Sequence, residues 1–304
     1  MKVSYFPGCT VKTTARSMGE AAEASLLALG VELIEPKRWT CCGVLHSLAD
    51  DDAMRLLGPV RNLIRIKKGG DRKVVTVCAM CYNSLARANL LMKKDSEKKS
   101  IINGYFEDDD DYNGEVDVLH LLTFLRDEIG WDAIRQRVNS PLGGLLLAPY
   151  YGCTLLRPTE LAIEAPARPK ILGDLLKSLG ASVVDFPASS QCCSSYQSVS
   201  HPEIAAQVAA EITGSARKSG AAAIVTCCPL CDYNLGKEQF NLTTQGSDDI
   251  SIPTFYFTEL MAVAFGLDLG RALSRGQEEL LLTAKGMSSL PGVRGEAEFP
   301  EPSH

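Results

Sequence analysis

Ten of the eleven cysteines in this 304-residue chain form two copies of one pattern. Each copy has a single cysteine, then an adjacent pair, then a CxxC motif. The first copy is Cys9, Cys41, Cys42, Cys78 and Cys81, and the second is Cys153, Cys192, Cys193, Cys228 and Cys231. Matching members lie 144 to 151 residues apart. A whole pattern repeated at a nearly constant offset indicates an internal duplication.

Each half is predicted to be a domain, because 304 residues suit two domains of about 150 residues. We expect a first cysteine-rich domain over residues 1–140 and a second over 141–270. Residues 271–304 are expected to form a C-terminal extension, with a helix and then a disordered tail rich in Pro, Gly, Ser and Glu. A hydrophobic content of 45% allows each half to bury a core without disulfide bridges.

Charge and hydropathy argue against several function classes. The net charge of −6, with no basic stripe, argues against nucleic-acid binding. The chain has no apolar run near 18 residues, and its N-terminus leads directly into the first motif, so we expect a cytoplasmic protein without a signal peptide or membrane span. It has no Walker motif and no GxGxxG after a strand, so neither nucleotide nor flavin is expected in this chain.

Short β-prone segments alternate with helical periodicity along both halves. The predicted strands are residues 3–6, 31–34, 73–77, 145–148, 183–186, 222–226 and 253–257, with another at the start of 116–130. The predicted helices are residues 13–29, 50–67, 159–179 and 202–218, with one from near Cys81 to about residue 92; the polar segment 93–113 is expected to be a solvated loop.

This alternation predicts an α/β fold with two tandem homologous domains related by a pseudo-twofold axis. Each domain is expected to be a mostly parallel, Rossmann-like sheet with flanking helices. Every cysteine group follows a predicted strand. The five cysteines of each half should therefore meet at the carboxyl edge of one sheet, where open α/β sheets bind their ligands.

Five cysteines in one place indicate a metal site, because thiolates are the usual ligands of iron–sulfur clusters and of many zinc ions. Five sulfurs are more than tetrahedral zinc takes and one more than an ordinary 4Fe–4S cubane needs. The spacing therefore favours a larger or irregular iron–sulfur site. Buried thiols, disulfides and a dithiol redox site at CxxC are the alternatives, and none of them explains two matched sets.

The two cysteine patterns resemble the duplicated CCG domains found in the B subunits of heterodisulfide reductases. The resemblance extends over residues 1 to about 268. It implies a noncubane 4Fe–4S cluster on each set: Cys9, Cys41, Cys42, Cys78 and Cys81 for the first, and Cys153, Cys192, Cys193, Cys228 and Cys231 for the second.

The resemblance also implies an activity and partners. In the family a disulfide is cleaved between the two clusters, and each cluster takes one thiolate product and supplies one electron. The electrons come from the ferredoxin-like C subunit, an iron–sulfur protein, which receives them from the flavin-containing A subunit. In methanogens the substrate is the mixed disulfide of coenzymes M and B.

Four positions need separate interpretation. Ser194 follows the second cysteine pair where Gly43 follows the first, and a serine with positive φ there would cost about 1–2 kcal/mol and alter the turn without removing a ligand. Cys227 is interpreted as a packed thiol at a strand end. His46, just after the first pair, is a candidate proton donor. His120 lies in an apolar run and is interpreted as a satisfied core histidine.

Two functions from different classes remain. The first is an enzyme subunit that reduces a disulfide at paired noncubane clusters, because a two-electron cleavage shared between two centres needs both cysteine sets. The second is a non-catalytic electron-transfer or sulfur-handling subunit of a larger oxidoreductase, which Ser194 keeps open because the two sites differ there. A zinc-stabilised interaction module is a third interpretation.

Overall fold

Two parallel four-stranded sheets organise the protein. The computed structural model describes residues 1–43, 54–106, 111–237, 252–268 and 273–286. The first sheet contains β1 (Lys2–Tyr5), β2 (Glu32–Ile34), β3 (Lys73–Thr76) and β4 (Asp117–His120), and the second contains β5 (Leu146–Tyr150), β6 (Ser182–Val183), β7 (Ala223–Thr226) and β8 (Thr254–Tyr256). The strand orders are β2-β1-β3-β4 and β6-β5-β7-β8. The same order in both halves, with every pair parallel, confirms the predicted α/β fold.

The helices connect the parallel strands and cover the sheets. Those of the first half are α1 (Arg16–Ala28), α2 (Met54–Lys68), α3 (Ala79–Lys94), α4 (Ser96–Gly104), α5 (Leu121–Phe124) and α6 (Trp131–Arg137). Those that follow are α7 (Ile171–Ser178), α8 (Pro202–Lys218), α9 (Pro229–Asp232), α10 (Phe257–Phe265) and α11 (Arg275–Lys285). A π-helical turn extends α5 through Leu125–Ile129, and another extends α9 through Tyr233–Lys237.

The structure corrects two predicted segments. Residues 93–113 are not simply a solvated loop, because α4 forms there and buries Ile102, while Phe106 and Tyr112 pack in the same core. The predicted helix 159–179 is helical only in the 3₁₀ turn Thr159–Leu161 and in α7. Pro166 and Pro169 stand between them, and proline lacks the N–H that a continuous helix needs.

The two halves pack through equivalent helices. Helix α1 of the first half contacts α10 of the second, and α5 of the first contacts α7 of the second. Since α7 is the counterpart of α1 and α10 of α5, the two contacts are related as in a pseudo-twofold dimer. Buried residues of both halves, among them Met18 and Leu260, belong to one hydrophobic core. Among the described residues, no helix is both long and apolar enough to cross a membrane.

Candidate metal centres

The cysteines lie where the strands end. Cys78 follows β3 and caps the N-terminus of α3 with extended backbone, and Cys228 follows β7 and caps α9 in the same way. Cys81 and Cys231 then fall in the first turn of these helices. Because the strands of each sheet are parallel, their carboxyl ends share one edge, where the sequence predicted the cysteines would meet.

In the first set the sulfurs come together in pairs. The Sγ atoms of Cys9 and Cys41 are 3.8 Å apart, and those of Cys42 and Cys81 are 3.4 Å apart. Cys78 is hydrogen-bonded to Cys81. Cys9 and Cys41 are exposed, whereas the other three thiols are buried. The first set thus has an exposed half and a buried half.

The second set repeats this arrangement, and its outer thiols are less exposed to solvent. The Sγ atoms of Cys193 and Cys231 are 3.3 Å apart, and the thiols of Cys153 and Cys192 are hydrogen-bonded. Cys153 and Cys192 are only half-exposed, unlike their counterparts Cys9 and Cys41. The two centres therefore share a geometry and differ in their access to solvent.

The first cysteine of each adjacent pair has a lowered pKa, which favours its thiolate form. A hydrogen bond with Cys42, helped by the backbone N–H of Gly43, lowers the pKa of Cys41 to about 6. A hydrogen bond with Cys153, helped by the backbone N–H of Ser194, lowers the pKa of Cys192 to about 6. Thiolate is the form that binds metal, so both positions suit a ligand at neutral pH.

The two sets meet at their CxxC motifs. The thiols of Cys78 and Cys228 are hydrogen-bonded to each other across the two halves, and this bond, with a second from Cys81, holds the pKa of Cys78 well below its usual range. The backbone N–H of Ala79 donates to the carbonyl of Cys227 at 3.0 Å. Cys227 itself is 1% exposed, in keeping with its interpretation as a packed strand-end thiol. The structure thus brings all ten predicted ligands into two adjoining groups.

Glycines leave room beside the sulfurs. A Cβ atom on Gly8 would lie 2.6 Å from the Sγ of Cys81, and one on Gly152 would lie 3.5 Å from the Sγ of Cys231. Among the described residues, no three His, Cys, Asp or Glu side chains are arranged around a single metal ion. Five thiols at one sheet edge, arranged as sulfur pairs with glycine against them, are a donor set that fits an iron–sulfur cluster.

Comparison with known families agrees with this geometry. The family model described as a cysteine-rich domain, CCG, matches residues 3–86 and 147–236, which together are more than half of the chain. The protein belongs to the CCG cysteine-rich family. One matched stretch lies in each half of the chain, and each contains one complete cysteine set.

Several curated proteins resemble the chain over most of its length. The B subunit of a Ferredoxin/F(420)H(2)-dependent CoB-CoM heterodisulfide reductase from Methanosarcina acetivorans is 29% identical over 272 residues, which are 87% of this chain and 89% of that protein. An 8-methylmenaquinol:fumarate reductase membrane anchor subunit of Wolinella succinogenes is 29% identical over 266 residues, covering 87% of this chain and 92% of that protein.

A solved structure shares the fold. A hypothetical protein from Helicobacter pylori superposes with a TM-score of 0.68 and 12% identity, over 96% of this chain and 52% of that protein. This likeness extends across both CCG repeats and supports the fold alone.

The residue directly after each cysteine pair has a left-handed backbone conformation in both CCG repeats. Gly43 has φ +69°, and Ser194 has φ +59°, the one positive φ of a non-glycine residue among those described. The expectation that Ser194 alters the turn is wrong, because the serine adopts the left-handed backbone that glycine favours. The backbone N–H of Ser194 also donates to the Sγ of Cys192 at 3.4 Å. The serine therefore keeps the positive φ of the glycine at the matching position.

Two polar residues that the sequence reasoning missed hold the cysteine pairs in place. The hydroxyl of Ser84 donates to the carbonyl of Cys42, and the side-chain amide of Asn234 donates to the carbonyl of Cys193. Ser84 and Asn234 occupy the same position, three residues after the last cysteine of each CxxC motif. A polar residue at this matched offset after both CxxC motifs is the signal that could have found them.

The structure places one of the two candidate histidines. His120 is fully buried; its Nε2–H donates to the carbonyl of Val77 at 2.9 Å and its Nδ1 accepts the N–H of Leu122 at 3.2 Å. Burial lowers the pKa of His120 to about 4, so the ring is neutral at physiological pH. The interpretation as a satisfied core histidine is confirmed. His46 lies outside the described residues and stays a prediction.

Residues of the first repeat also form hydrogen bonds with the second repeat beside Cys153. The side-chain amide of Asn83 donates to the carbonyls of Thr154 and Arg157, both at 2.7 Å, and the hydroxyl of Tyr82 donates to the carbonyl of Leu161 at 2.8 Å. Tyr82 and Asn83 directly follow Cys81. The segment after Cys153 is therefore anchored to the helix that carries the first CxxC motif.

Proposed function

We propose that this chain is the disulfide-reducing subunit of a heterodisulfide-reductase-type complex. The reaction converts one disulfide, two electrons and two protons into two thiols. In this proposal noncubane 4Fe–4S clusters bound at the two cysteine sets supply one electron each. The chain's own residues hold the two centres side by side and shape the space where the disulfide is bound.

The observation that carries the proposal is the meeting of the two CxxC motifs. Cys78 and Cys228 interact directly, and the N–H of Ala79 bonds to the carbonyl of Cys227. A disulfide has two sulfurs, and its reduction to two thiols needs two electrons. Two complete cysteine sets in one chain, adjoining at their buried ends, suit a reaction in which each centre serves one sulfur.

The curated relatives supply the class of substrate and partner. The Methanosarcina acetivorans protein is named as the B subunit of a ferredoxin- or F(420)H(2)-dependent CoB-CoM heterodisulfide reductase. For this chain we propose the same or a related heterodisulfide as substrate. We also propose electron delivery by a ferredoxin-like iron–sulfur protein of the C-subunit type and a flavoprotein of the A-subunit type. The exposed thiols of Cys9 and Cys41 give such a donor an accessible side of the first centre.

Iron analysis and turnover together test the proposal. Protein loaded anaerobically should contain about eight irons per chain, and the complex with its electron-donating partners should convert a heterodisulfide to two thiols. A single Cys228→Ala substitution should lower the iron content of the second centre and abolish turnover. Failure of the fully loaded complex to reduce any disulfide would refute the proposal.

A second candidate function rests on the Wolinella succinogenes relative. That protein is as similar to this chain as the Methanosarcina protein is, yet it is named as a membrane anchor subunit of a fumarate reductase. A non-catalytic electron-transfer subunit would carry iron and change its redox state with a partner without consuming a disulfide. Redox titration of the loaded chain with and without a disulfide separates the two candidates.

A further inference from the structure

The loop before the second cysteine pair is hydrogen-bonded to the turn that carries Cys153. Three consecutive backbone carbonyls of this loop, those of residues 189–191, accept hydrogen bonds from that turn. Two of the bonds come from the backbone, because the N–H groups of Tyr151 and Gly152 both donate to the carbonyl of Ser189, at 2.8 and 3.2 Å. The single cysteine and the cysteine pair of the second repeat are therefore connected through their main chains.

Side chains of the same turn bind the other two carbonyls. The hydroxyl of Tyr150 donates to the carbonyl of Gln191 at 2.6 Å. The Nη1 of Arg157 donates to the carbonyl of Ser190 at 3.0 Å, and this bond is exposed. Tyr150 is 1% exposed, and its partner Gln191 directly precedes Cys192. The bond from Tyr150 is therefore the better shielded of the two and the nearer to a ligand.

The first repeat has different residues at the donor positions. These residues are Phe6, Pro7 and Thr13, in place of Tyr150, Tyr151 and Arg157. Phenylalanine has no hydroxyl and proline has no N–H, while the hydroxyl of Thr13 donates within its own turn to the carbonyl of Cys9 at 3.0 Å. Among the described residues, no hydrogen bond joins that turn to the backbone of residues 38–40, which match 189–191.

The loop before Cys41 is bound by α2 instead. The side-chain carbonyl of Asn62 accepts the backbone N–H of Thr40 at 2.8 Å, and its amide donates to the carbonyl of Thr40 at 2.8 Å. Asn62 is 1% exposed, so this pair of bonds is shielded from water. The first cysteine pair is therefore positioned by a helix, and the second by the turn of its own single cysteine.

Side chains of the Cys9 turn still contact the segment that leads to Cys41. The rings of Phe6 and Trp39 have centroids 5.5 Å apart, and Lys12 forms an ion pair with Glu35. A ring contact lacks the directional restraint of a hydrogen bond, and solvent weakens an ion pair as exposed as this one. These contacts restrain the first repeat less than the hydrogen bonds restrain the second.

We propose that Tyr150 is a positioning residue that fixes the second centre, and that the first centre is the one whose single cysteine can move relative to its cysteine pair. The inference deepens the proposed function and rests on it for the iron–sulfur clusters. Cys153 and Cys192 move as one unit, which keeps one ligand geometry. Cys9 follows its own turn and Cys41 follows α2, so these two ligands can separate. The pair of centres thus has one adjustable member and one fixed member.

Iron release under anaerobic conditions tests the inference without turnover. The full, cluster-loaded chain is mixed with the ferrous chelator bathophenanthroline disulfonate, and a fast phase from the first centre and a slow phase from the second are expected. Cys228→Ala, which should lower the iron of the second centre, assigns the phases because it should lose the slow one. Tyr150→Phe should accelerate the slow phase about fivefold, the factor set by one net hydrogen bond, and leave the fast phase unchanged.

Tyr151→Phe is the matched control. It removes a buried hydroxyl from the neighbouring residue, and that hydroxyl accepts the N–H of Gly173 in α7 at 3.3 Å. The variant keeps the backbone N–H that donates to Ser189, so it should retain the parental slow phase. EPR spectra recorded after the fast phase give a second readout. The signal of the remaining centre should broaden in Tyr150→Phe and not in Tyr151→Phe, because a less restrained centre samples more geometries.

Solvent exposure alone predicts a different result. If access to the thiols determined both rates, Tyr150→Phe would release iron as the parent does, because the loss of one buried oxygen does not open the centre. That outcome, or equal acceleration by Tyr151→Phe, would overturn the inference even if the complex reduces disulfides.

Hydrogen–deuterium exchange separates this inference from the proposed function, because it needs no iron. Residues 188–194 should exchange faster in Tyr150→Phe than in Tyr151→Phe, and residues 38–43 should exchange equally in both. Equal exchange of residues 188–194 in the two variants would overturn the positioning role of Tyr150. Faster exchange in a chain that binds no iron would support that role and refute the proposed function instead.

Discussion

The backbone N–H of Ala79 donates to the carbonyl of Cys227 at 3.0 Å, and the reciprocal bond does not form. The counterpart of Ala79 in the second repeat is Pro229, which has no N–H to give to Val77. The carbonyl of Val77, to which Pro229 cannot donate, accepts a hydrogen bond from His120 instead. The two repeated motifs therefore meet through an asymmetric junction.

Substitutions at this junction can identify which cysteine of the adjacent pair Cys227-Cys228 is a ligand. Cys227→Ala should leave the iron content unchanged and cost about 1–2 kcal/mol of stability, because it removes one buried sulfur from a packed site. Cys228→Ala should lower the iron content. Iron analysis and thermal unfolding of both variants measure these effects. Iron loss in Cys227→Ala with full retention in Cys228→Ala would assign the ligand to the other residue.

Exchanging the residues that follow the two cysteine pairs tests the cost of positive φ at these positions. Ser194→Gly should stabilise the protein by about 1 kcal/mol, since glycine adopts positive φ without steric cost. Gly43→Ser should destabilise it by a similar amount through backbone strain alone, because an added Cβ meets only the carbonyl of Arg55 at an ordinary 3.6 Å. Each change should move the unfolding midpoint by about 2–4 °C in opposite directions. Shifts of the same sign would contradict this explanation.

The glycines beside the CxxC sulfurs should respond unequally. Gly8→Ala should displace the sulfur of Cys81, since its Cβ would come within 2.6 Å, and should reduce the iron held by the first centre. Gly152→Ala has 3.5 Å to the sulfur of Cys231 and should cost only the backbone strain of φ +64°, about 1 kcal/mol. Iron content per chain distinguishes the two, and similar iron loss in both would show that space near the sulfur is not limiting.

A buried carboxyl group should make stability depend on pH. Glu259 on α10 is 2% exposed. Burial, together with the charge of the nearby Asp232, raises its pKa to about 8. Hydrogen bonds from Ser17 and from the backbone N–H of Tyr256 lower the pKa but do not offset the burial. The folded protein therefore holds a proton that the unfolded chain releases near pH 4.5. The contribution of Glu259 to the free energy of unfolding should fall as pH rises from about 4.5 to 8, by on the order of 1 kcal/mol per pH unit.

Glu259→Gln isolates this contribution. The amide is neutral at every pH, so the difference in stability between the variant and the parent should grow in favour of the variant as pH rises through this window. His120, with a pKa lowered to about 4, destabilises the parent and the variant equally as pH falls below 6.5 and cancels in the difference. The exposed Glu97→Gln is the control and should show no such trend. A flat difference for Glu259→Gln would mean that the carboxyl is ionised when folded.

The sequence predicted most of the fold because its signals are local. Hydrophobic strands such as Ala223–Thr226 are fully buried, and helix α8 begins at Pro202 and ends at Lys218 as its periodicity indicates. Where a local signal misleads, tertiary packing is the cause: the polar segment at α4 becomes helical because Ile102 is buried against α2 and α3. The predicted helix 159–179 is interrupted because Pro166 and Pro169 separate α7 from the turn before it.

The grouping of the cysteines was predictable from their positions after parallel strands, but their relation across the two repeats was not. No spacing rule states that α1 packs on α10 or that Cys78 lies against Cys228. The docking depends on contacts between residues up to 240 positions apart, such as the hydroxyl of Thr258 donating to the carbonyl of Met18 at 2.9 Å. Ser84 and Asn234 were missed for a related reason, since their partners are backbone carbonyls that any sequence provides.

The two cysteine sets differ in solvent exposure, so reagents in solution should reach them in a defined order. Cys9 and Cys41 face solvent, whereas Cys153 and Cys192 are half-covered. Chelators, oxidants and iron donors in solution therefore reach the first set before the second. Since the buried ends of the two sets adjoin at Cys78 and Cys228, loss of the outer centre removes one side of the support around the inner one. Both damage by oxidants and repair by iron donors should therefore begin at the exposed thiols of Cys9 and Cys41.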